Sequence, residues 1–220
     1  MGLARRRTPP EPRTPDTAEL AALRAGARRI LGRDLTETEA RLAYKYVNIL
    51  IKWQKVHRLL GSSEPRWIVD RIFLDSLLFL RILPPGVREI LDVGSGAGVP
   101  GIPLKLVVPE LRLTMVEARQ RRASFLSNAV RELSLQDVRV IPGRLESMVR
   151  EAPDRFDAVV ARCAGDVSYL FGLGAHLVQP GGVVIAAGPP EEHPLLVGTW
   201  ITVPGVKAGE TRRFAVYRRE

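Results

Sequence analysis

The sequence predicts an α/β fold, with helices around a doubly wound, mostly parallel sheet of seven strands and a helical extension at the N-terminus. From Val87 onward, short apolar runs alternate with stretches of helix length, which is the β-α-β pattern of parallel sheets. Before Val87 the apolar residues recur with the period of helices. The last two strand-like segments are separated by a Pro-Gly turn, so we expect them to close the sheet in antiparallel orientation.

The N-terminal part contains three predicted helices. They cover residues 17–31, 36–61 and 65–83. Thr36 and Glu39 have the spacing of a capping box, and Tyr46 and Trp53 fall on the apolar face of the helix that follows. Gly61 ends the second helix in this interpretation, and the Pro84-Pro85 pair ends the third.

Strands and helices then alternate along the rest of the chain. Strands are predicted at 90–93, 113–117, 138–141, 156–161, 183–187, 199–203 and 213–217, and helices at 103–107, 119–133, 145–150 and 166–178. Right-handed crossovers bring the carboxyl ends of parallel strands to one edge of the sheet, where such folds bind ligands. The expected organisation is a basic, proline-rich disordered tail (1–16), the helical extension (17–86) and the sheet domain (87–220).

Length, net charge and cysteine content limit the kinds of protein that this chain can be. A chain of 220 residues accommodates one α/β domain with a modest extension. The formal net charge of +9 favours a polyanionic partner, although the predominance of arginine also fits a bias in genome composition. No apolar run has the length of a membrane span and no secretory signal is visible, so a cytoplasmic protein is expected. Cys163 is the single cysteine, which excludes an internal disulfide.

The stretch LDVGSGAGVPG, residues 91–101, is the main functional motif. Its glycines fit both GxGxxG (Gly96, Gly98, Gly101) and GxGxG (Gly94, Gly96, Gly98). Asp92 decides between the two, because a carboxylate would repel the pyrophosphate of a dinucleotide but suits the ammonium group of S-adenosylmethionine. Glu117 ends the next strand about twenty residues further on, where a ribose-binding acid belongs. A simple tight strand-to-helix turn would not require either acid.

Longer segments around this motif carry a family resemblance. The block from LDVGSGAGVPGIPLKL through FLSNAVRELSL to GRLES resembles the G-type methyltransferases of bacterial small-subunit ribosomal RNA, also called glucose-inhibited division protein B. The likeness continues in FDAVVARCAG and PGGVVIAAG, and it extends backwards into NILIKWQKVHRLL and RIFLDSLLFL. It covers nearly everything from Thr36 to the C-terminus.

The resemblance implies a Rossmann-like class I S-adenosylmethionine-dependent methyltransferase that modifies N7 of a guanine in 16S ribosomal RNA. By motif position, Gly94 and Val99 would touch the cofactor beside Asp92, Gly96 and Gly98, Glu117 would hold its ribose, Leu145 and Glu146 would flank its adenine, and Arg162 would contact cofactor or target base as the catalytic residue. Guanine N7 has an unprotonated lone pair, so alignment and electrostatics suffice and no general base is needed.

Four positions differ from the family pattern around the expected substrate pocket. They are Ile72 after Arg71, the run Arg58-Leu59-Leu60, Cys163 after Arg162, and Ala187 before Gly188. The cofactor motifs are intact. An S-adenosylmethionine-dependent methyltransferase of another RNA or of a small molecule therefore stays open as an alternative, as does a weakly active RNA-binding protein of ribosome assembly.

Basic side chains on three segments form the predicted RNA-binding surface. They are Lys52, Lys55 and Arg58 on the second helix, Arg121 and Arg122 after Glu117, and Arg212 and Arg213 near the C-terminus. Each one taken alone also fits an ordinary solvated surface, and together they favour RNA. The expected partner is 16S ribosomal RNA or the small ribosomal subunit, with no metal, no membrane contact and a monomeric protein.

Overall fold

A computed structural model describes residues 17–151, 155–162, 166–188 and 194–220, and the predicted tail (1–16) lies outside this range. The predicted α/β fold class is confirmed. The strands form one seven-stranded sheet of order β3-β2-β1-β4-β5-β7-β6. They are β1 (Glu89–Val93), β2 (Arg112–Glu117), β3 (Val138–Pro142), β4 (Phe156–Ala161), β5 (Val178–Ala187), β6 (Thr199–Pro204) and β7 (Thr211–Arg218).

Strand direction follows the sequence prediction. β1 to β5 pair in parallel, and β7 pairs antiparallel with both β5 and β6. β1 lies between β2 and β4, so the chain order reverses there. In doubly wound sheets this reversal opens a crevice at the carboxyl ends of the strands. The loops that follow β1 and β4 therefore lie beside that crevice.

Helices cover both faces of the sheet. They are α1 (Thr17–Leu31), α2 (Glu37–His57), α3 (Pro65–Ile68), α4 (Asp75–Leu77), α5 (Gly101–Val107), α6 (Gln120–Leu133), α7 (Leu145–Glu151) and α8 (Val167–Gly174). Successive strand residues point to opposite faces, so Ile90 joins a core with α1 to α6 whereas Leu91 joins a second core with α7 and α8. The N-terminal extension thus shares a continuous core with the sheet.

The predicted single helix over residues 65–83 is wrong in detail. A π-helical turn (Val69–Leu74) separates α3 from α4, and a 3₁₀ turn (Leu78–Arg81) follows. Apolar spacing does not distinguish these turns from an α-helix, because wider and tighter turns still bury the same side of the chain. Ile68, Phe73 and Leu77 are fully buried along this segment.

Two helix ends also differ from prediction. α2 begins at its capping box, where Thr36 Oγ1 accepts from the Glu39 N–H at 3.2 Å, but it stops at Arg58 in a left-handed conformation and does not reach Gly61. α8 ends at Gly174, whereas the prediction extended it to Val178. Val178 instead begins β5, which bulges before it pairs regularly from Val183.

Candidate cofactor and active site

The glycine loop follows β1 and opens towards the crevice. Gly94, Gly96 and Gly98 have φ angles of +63°, +53° and +87°. Gly94 is exposed, and a Cβ built there would meet no atom within 4 Å. The main chain at Gly94 is therefore accessible to a ligand, in a conformation that favours glycine. Val99 is half-buried at the end of the loop.

Asp92 lies beneath the loop and is completely buried. Its Oδ2 accepts a hydrogen bond from the Gly101 N–H at 2.9 Å, and a Cβ at Gly101 would lie 2.7 Å from the same oxygen. Gly101 is therefore required for this close approach. Oδ1 has no hydrogen-bond partner among the described residues. Burial raises the pKa of Asp92 to about 7, against the opposing effect of the Gly101 hydrogen bond.

Glu117 reaches the same loop from the end of β2. Its Oε2 accepts from the Gly96 N–H at 2.9 Å, and its Oε1 accepts from the Arg119 N–H at 2.8 Å. A carboxylate offers about four lone-pair sites, so each oxygen can still accept one more hydrogen bond. This is the capacity that two ribose hydroxyls require. Glu117 thus orders the loop and retains free acceptor sites.

Tyr46 supports the loop from α2, a role that the sequence interpretation missed. Its side chain is completely buried and its hydroxyl donates to the Ala97 carbonyl at 2.7 Å. Burial raises the pKa of the Tyr46 phenol, with a smaller contribution from the charge of Asp92. A tyrosine on an otherwise apolar helix face was the available sign, because a buried hydroxyl needs a hydrogen-bond partner.

Leu145 and Glu146 begin α7, directly beyond the end of β3. Leu145 is buried in the second core, whereas Glu146 is half-buried and its Oε1 accepts from the Tyr169 hydroxyl at 2.6 Å. This hydrogen bond lowers the pKa of Glu146. Glu146 and Tyr169 therefore join the starts of α7 and α8 at the carboxyl edge of the sheet.

Arg162 follows the last residue of β4, and Asp92 pairs with Val160 of that strand. Arg162 therefore lies beside the glycine loop. Its Nη2 lies 3.3 Å from Asp75 Oδ2, and the other oxygen of Asp75 lies 3.2 Å from Nε of Arg212. The sequence pattern identified Asp75 only as part of a matching motif and gave it no role.

The positions that depart from the family pattern fall in different surroundings. Ile72 is buried in the core within the π-helical turn, and Ala187 is half-buried at the end of β5. Arg58 is exposed at the end of α2. Cys163 lies outside the described residues.

The predicted RNA-binding residues at the end of α2 and the start of α6 lie towards the carboxyl edge of the sheet. Trp53 packs edge-to-face on Phe125, and Lys45 Nζ donates to the Glu132 carbonyl, so α2 and α6 run antiparallel. The end of α2 therefore lies beside the start of α6. This brings the exposed Lys52, Lys55 and Arg58 towards the exposed Arg121 and the half-buried Arg122.

The side chains of Arg122 and Arg212 are less exposed than the sequence analysis predicted. Nη1 of Arg122 would lie 3.6 Å from a Cβ at Gly96, so this guanidinium covers the glycine loop. Arg212 is half-buried, pairs with Asp75 and donates from Nη1 to the Gly188 carbonyl at 2.9 Å. Arg213 is half-buried on β7. Arg212 is therefore held by contacts within the fold and is not part of the exposed basic surface.

Neither a membrane helix nor a metal cluster occurs among the described residues. Within this part of the chain, no helix is long and apolar enough to cross a membrane. Over the same residues, no group of three or more histidine, cysteine, aspartate or glutamate side chains could hold a metal ion.

The site fits S-adenosylmethionine on three structural grounds. Asp92 Oδ1 is a buried acceptor without a partner in the described part of the chain, which suits an ammonium group. The main chain at Gly94 is open to a ligand, and Glu117 has acceptor capacity for a ribose. All three lie at the carboxyl end of β1 and β2, beside the crevice.

Comparison with known proteins identifies the family. The family model described as rRNA small subunit methyltransferase G matches residues 39–189. The ribosomal RNA small subunit methyltransferase G of Methylobacillus flagellatus is 39% identical over 158 residues, covering 72% of this chain and 75% of the relative. That of Xanthomonas campestris pv. campestris is 33% identical over 184 residues, covering 79% and 84% of the two chains.

Solved structures support the fold. The O-methyltransferase TomG from Streptomyces achromogenes, in complex with SAM, has a TM-score of 0.56 at 18% identity and covers 94% of this chain and 100% of its own. Cofactor-bound Rv0187 from MTB has a TM-score of 0.57 at 18% identity with the same coverage. The chain therefore belongs to the rRNA small subunit methyltransferase G family of S-adenosylmethionine-dependent methyltransferases.

Proposed function

We propose that this chain transfers the methyl group of S-adenosylmethionine to N7 of a guanine in 16S ribosomal RNA of the small subunit. The observation that carries the proposal is the family match over residues 39–189, which includes the glycine loop with its buried Asp92. We further propose that the protein acts in the cytoplasm as a monomer.

The residues of the loop would bind and align the cofactor. S-adenosylmethionine, when bound, supplies a sulfonium methyl group that a nitrogen lone pair can take directly. Asp92 Oδ1 accepts from the ammonium group, and Glu117 accepts from the ribose hydroxyls. Gly94 and Val99 contact the cofactor through the open face of the loop. Leu145 provides an apolar surface for the adenine, and Glu146 flanks it.

The remaining task of the protein is to hold guanine N7 in line with the methyl group. The N7 lone pair is unprotonated at neutral pH, so no side chain has to remove a proton before transfer. Orientation within a site of low water content supplies the rate enhancement. Arg162, beside the loop and held by Asp75, is the residue best placed to contact the reacting pair.

The basic end of the molecule would bind the RNA backbone. Lys52, Lys55 and Arg58 on α2 and Arg121 on α6 are exposed at the same edge as the glycine loop. Phosphate contacts from such side chains position the nucleic acid without reading its sequence. Their proximity to the loop favours RNA over a small molecule as the methyl acceptor.

A methyl-transfer assay tests the proposal. Purified protein is incubated with radiolabelled S-adenosylmethionine and, in parallel, with small ribosomal subunits, naked 16S RNA and a metabolite extract. We expect the label to enter 16S RNA and to be recovered as N7-methylguanosine. Glu117→Ala is the matched control, because it should abolish labelling without reducing RNA affinity.

Other outcomes would contradict the proposal. Label in another RNA or in a metabolite would show a different acceptor. Cofactor binding with no labelled product from any fraction, together with RNA binding, would favour a role in ribosome assembly. Tight NADH binding without S-adenosylmethionine binding would overturn the interpretation of the loop.

A further inference from the structure

Asp75 lies where three elements of the fold meet. It begins α4 in the N-terminal extension, Arg162 follows β4, and Arg212 lies on β7. Oδ2 of Asp75 is 3.3 Å from Arg162 Nη2, and Oδ1 is 3.2 Å from Arg212 Nε. The Asp75 side chain is 11% exposed and that of Arg162 is 15% exposed. One largely buried carboxylate therefore holds two arginines from distant parts of the sequence.

The contacts of Arg162 use only one side of its guanidinium. Nη2 faces Asp75 and also donates to the Arg71 carbonyl. Nη1 is buried and has no hydrogen-bond partner among the residues that the structure describes. A buried donor without a partner is destabilising, so its retention at a ligand-binding edge indicates an acceptor atom that arrives with a ligand. The ion pair with Asp75 and the hydrogen bond to the Arg71 carbonyl at Nη2 together fix the direction in which Nη1 points.

The same carboxylate also contacts Arg212. Nη1 of Arg212 donates to the Gly188 carbonyl at 2.9 Å, directly after β5. Arg162 and Arg212 thus share the Asp75 carboxylate.

The position of the cluster relates it to methyl transfer. Asp92 of β1 pairs with Val160, and Arg162 lies two residues further along the chain. The Tyr46 phenol is close enough to both Asp92 and Arg162 for their charges to act on its pKa in opposite directions. Arg162 is thus near the glycine loop.

We propose that Asp75 is a positioning residue for methyl transfer, which acts by holding Arg162 so that Nη1 meets an acceptor oxygen of the reacting pair. The inference rests on the proposed function and deepens it. The acceptor is either the carboxylate of the bound cofactor or O6 of the target guanine, which lies next to N7. Both offer the same chemistry, an oxygen that accepts from a guanidinium.

Asp75→Asn tests this role, with Asp70→Asn as the matched control. Asp70 lies in the preceding π-helical turn and its side chain is 10% exposed, but it pairs at 3.0 Å with Arg66 and not with Arg162. We expect Asp75→Asn to lower kcat at least tenfold and Asp70→Asn to change it less than twofold. Asp75→Asn should lose more thermal stability than Asp70→Asn, because Arg162 and Arg212 are more buried than Arg66, so kcat is compared at a temperature at which both variants are fully folded.

A double-mutant cycle separates positioning from a structural effect. In an Arg162→Lys background, Asp75→Asn should cost less than a further twofold in kcat, because the residue through which it acts is already altered. Full additivity of the two changes, or an unchanged kcat in Asp75→Asn, would overturn the inference.

Two measurements identify the acceptor. If Nη1 contacts the cofactor, Asp75→Asn should raise the Kd for S-adenosylmethionine at least tenfold, as seen by calorimetry without RNA. If it contacts guanine O6, that Kd should stay the same while kcat for small subunits falls. Should the wild-type protein fail to methylate 16S RNA, the proposed function fails. The inference then holds only if Asp75→Asn raises the Kd for S-adenosylmethionine in the wild-type background and much less in the Arg162→Lys background, and an unchanged Kd overturns it.

Discussion

At the scale of single residues, the candidate cofactor site contains two acids in opposite situations. Glu117 accepts backbone hydrogen bonds with both oxygens, whereas Asp92 uses only Oδ2. A buried carboxylate that lacks partners binds a proton more tightly, because the charged form is poorly solvated. The pKa of Asp92 is accordingly raised to about 7. The same environment should favour a cation that can replace the proton.

The raised pKa of Asp92 predicts a pH dependence of stability. It is about 7 in the folded protein and about 3.9 in an unfolded chain. Between these values the folded state binds more protons, so the free energy of unfolding should fall as pH rises from about 4 to about 7. The slope from this group is about 1.4 kcal/mol per pH unit. Urea denaturation at several pH values measures the free energy of unfolding, which should fall more steeply with pH in the wild type than in Asp92→Asn. Parallel pH profiles of the two proteins would disprove it.

Cofactor binding should displace the proton from Asp92. At pH 6 the carboxyl is mostly protonated, and an ammonium group at Oδ1 requires the carboxylate. We expect S-adenosylmethionine to release close to one proton at pH 6 and about half a proton at pH 7, where its own amino group is still protonated. Calorimetry in buffers of different ionisation enthalpy measures this number. Asp92→Asn should bind more weakly and release no proton from this position, and equal proton release by both proteins would refute the contact.

At the scale of elements, sequence periodicity predicted the strands well and the irregular turns poorly. β4 has the predicted bounds because both of its ends are marked by a change from apolar to polar residues. β5 begins earlier than predicted, since Pro180-Gly181-Gly182 resembles a turn but lies within a bulged strand. The π-helical turn before Asp75 leaves no mark in apolar spacing.

The site shows the same division between local and long-range information. Asp92, the glycines and Glu117 form a local motif, so their proximity could be predicted from strand order. The contacts of Tyr46 with Ala97 and of Asp75 with Arg162 and Arg212 depend on how the N-terminal extension packs on the sheet. No local pattern specifies that packing, and exposure of Arg212 was therefore overestimated.

The contact between α2 and the glycine loop should couple helix packing to cofactor affinity. Tyr46→Phe leaves the buried Ala97 carbonyl without its 2.7 Å partner, which should cost about 1–2 kcal/mol of stability. We also expect S-adenosylmethionine to bind several-fold more weakly, because the loop is less fixed. Cofactor titration and thermal unfolding measure the two effects.

Thr36→Ala is the control for this prediction. It removes the capping bond to the Glu39 N–H at the other end of α2 and should cost about 1 kcal/mol. Because Thr36 does not touch the loop, cofactor affinity should stay unchanged. If both variants weaken cofactor binding equally, the effect is one of general stability and the specific role of Tyr46 is disproved.

At the scale of the whole molecule, the charge is distributed so that cofactor site and basic surface share one edge. The antiparallel packing of α2 on α6 brings Lys52 and Lys55 towards Arg121, at the carboxyl ends of the strands. Arg88 and Arg155 are exposed immediately before β1 and β4, which places them at the opposite edge. The net charge of the whole protein is positive, but only the edge that carries Lys52 and Lys55 also carries the glycine loop.

This asymmetry predicts that charge reversal matters only at the edge that carries the glycine loop. Lys52→Glu with Lys55→Glu should weaken binding of 16S RNA more than tenfold at moderate salt. The dependence of log affinity on log salt should also become less steep, by about 0.7 to 0.9 for each RNA phosphate that the variant no longer neutralises.

Arg88→Glu with Arg155→Glu makes the same change in net charge at the other edge and should alter RNA affinity less than twofold. Filter binding over a salt series measures all three proteins, and cofactor affinity should be equal in each. Equal losses in the two double variants would mean that net charge alone drives RNA association, and an unchanged affinity in the α2 variant would place the RNA on another face.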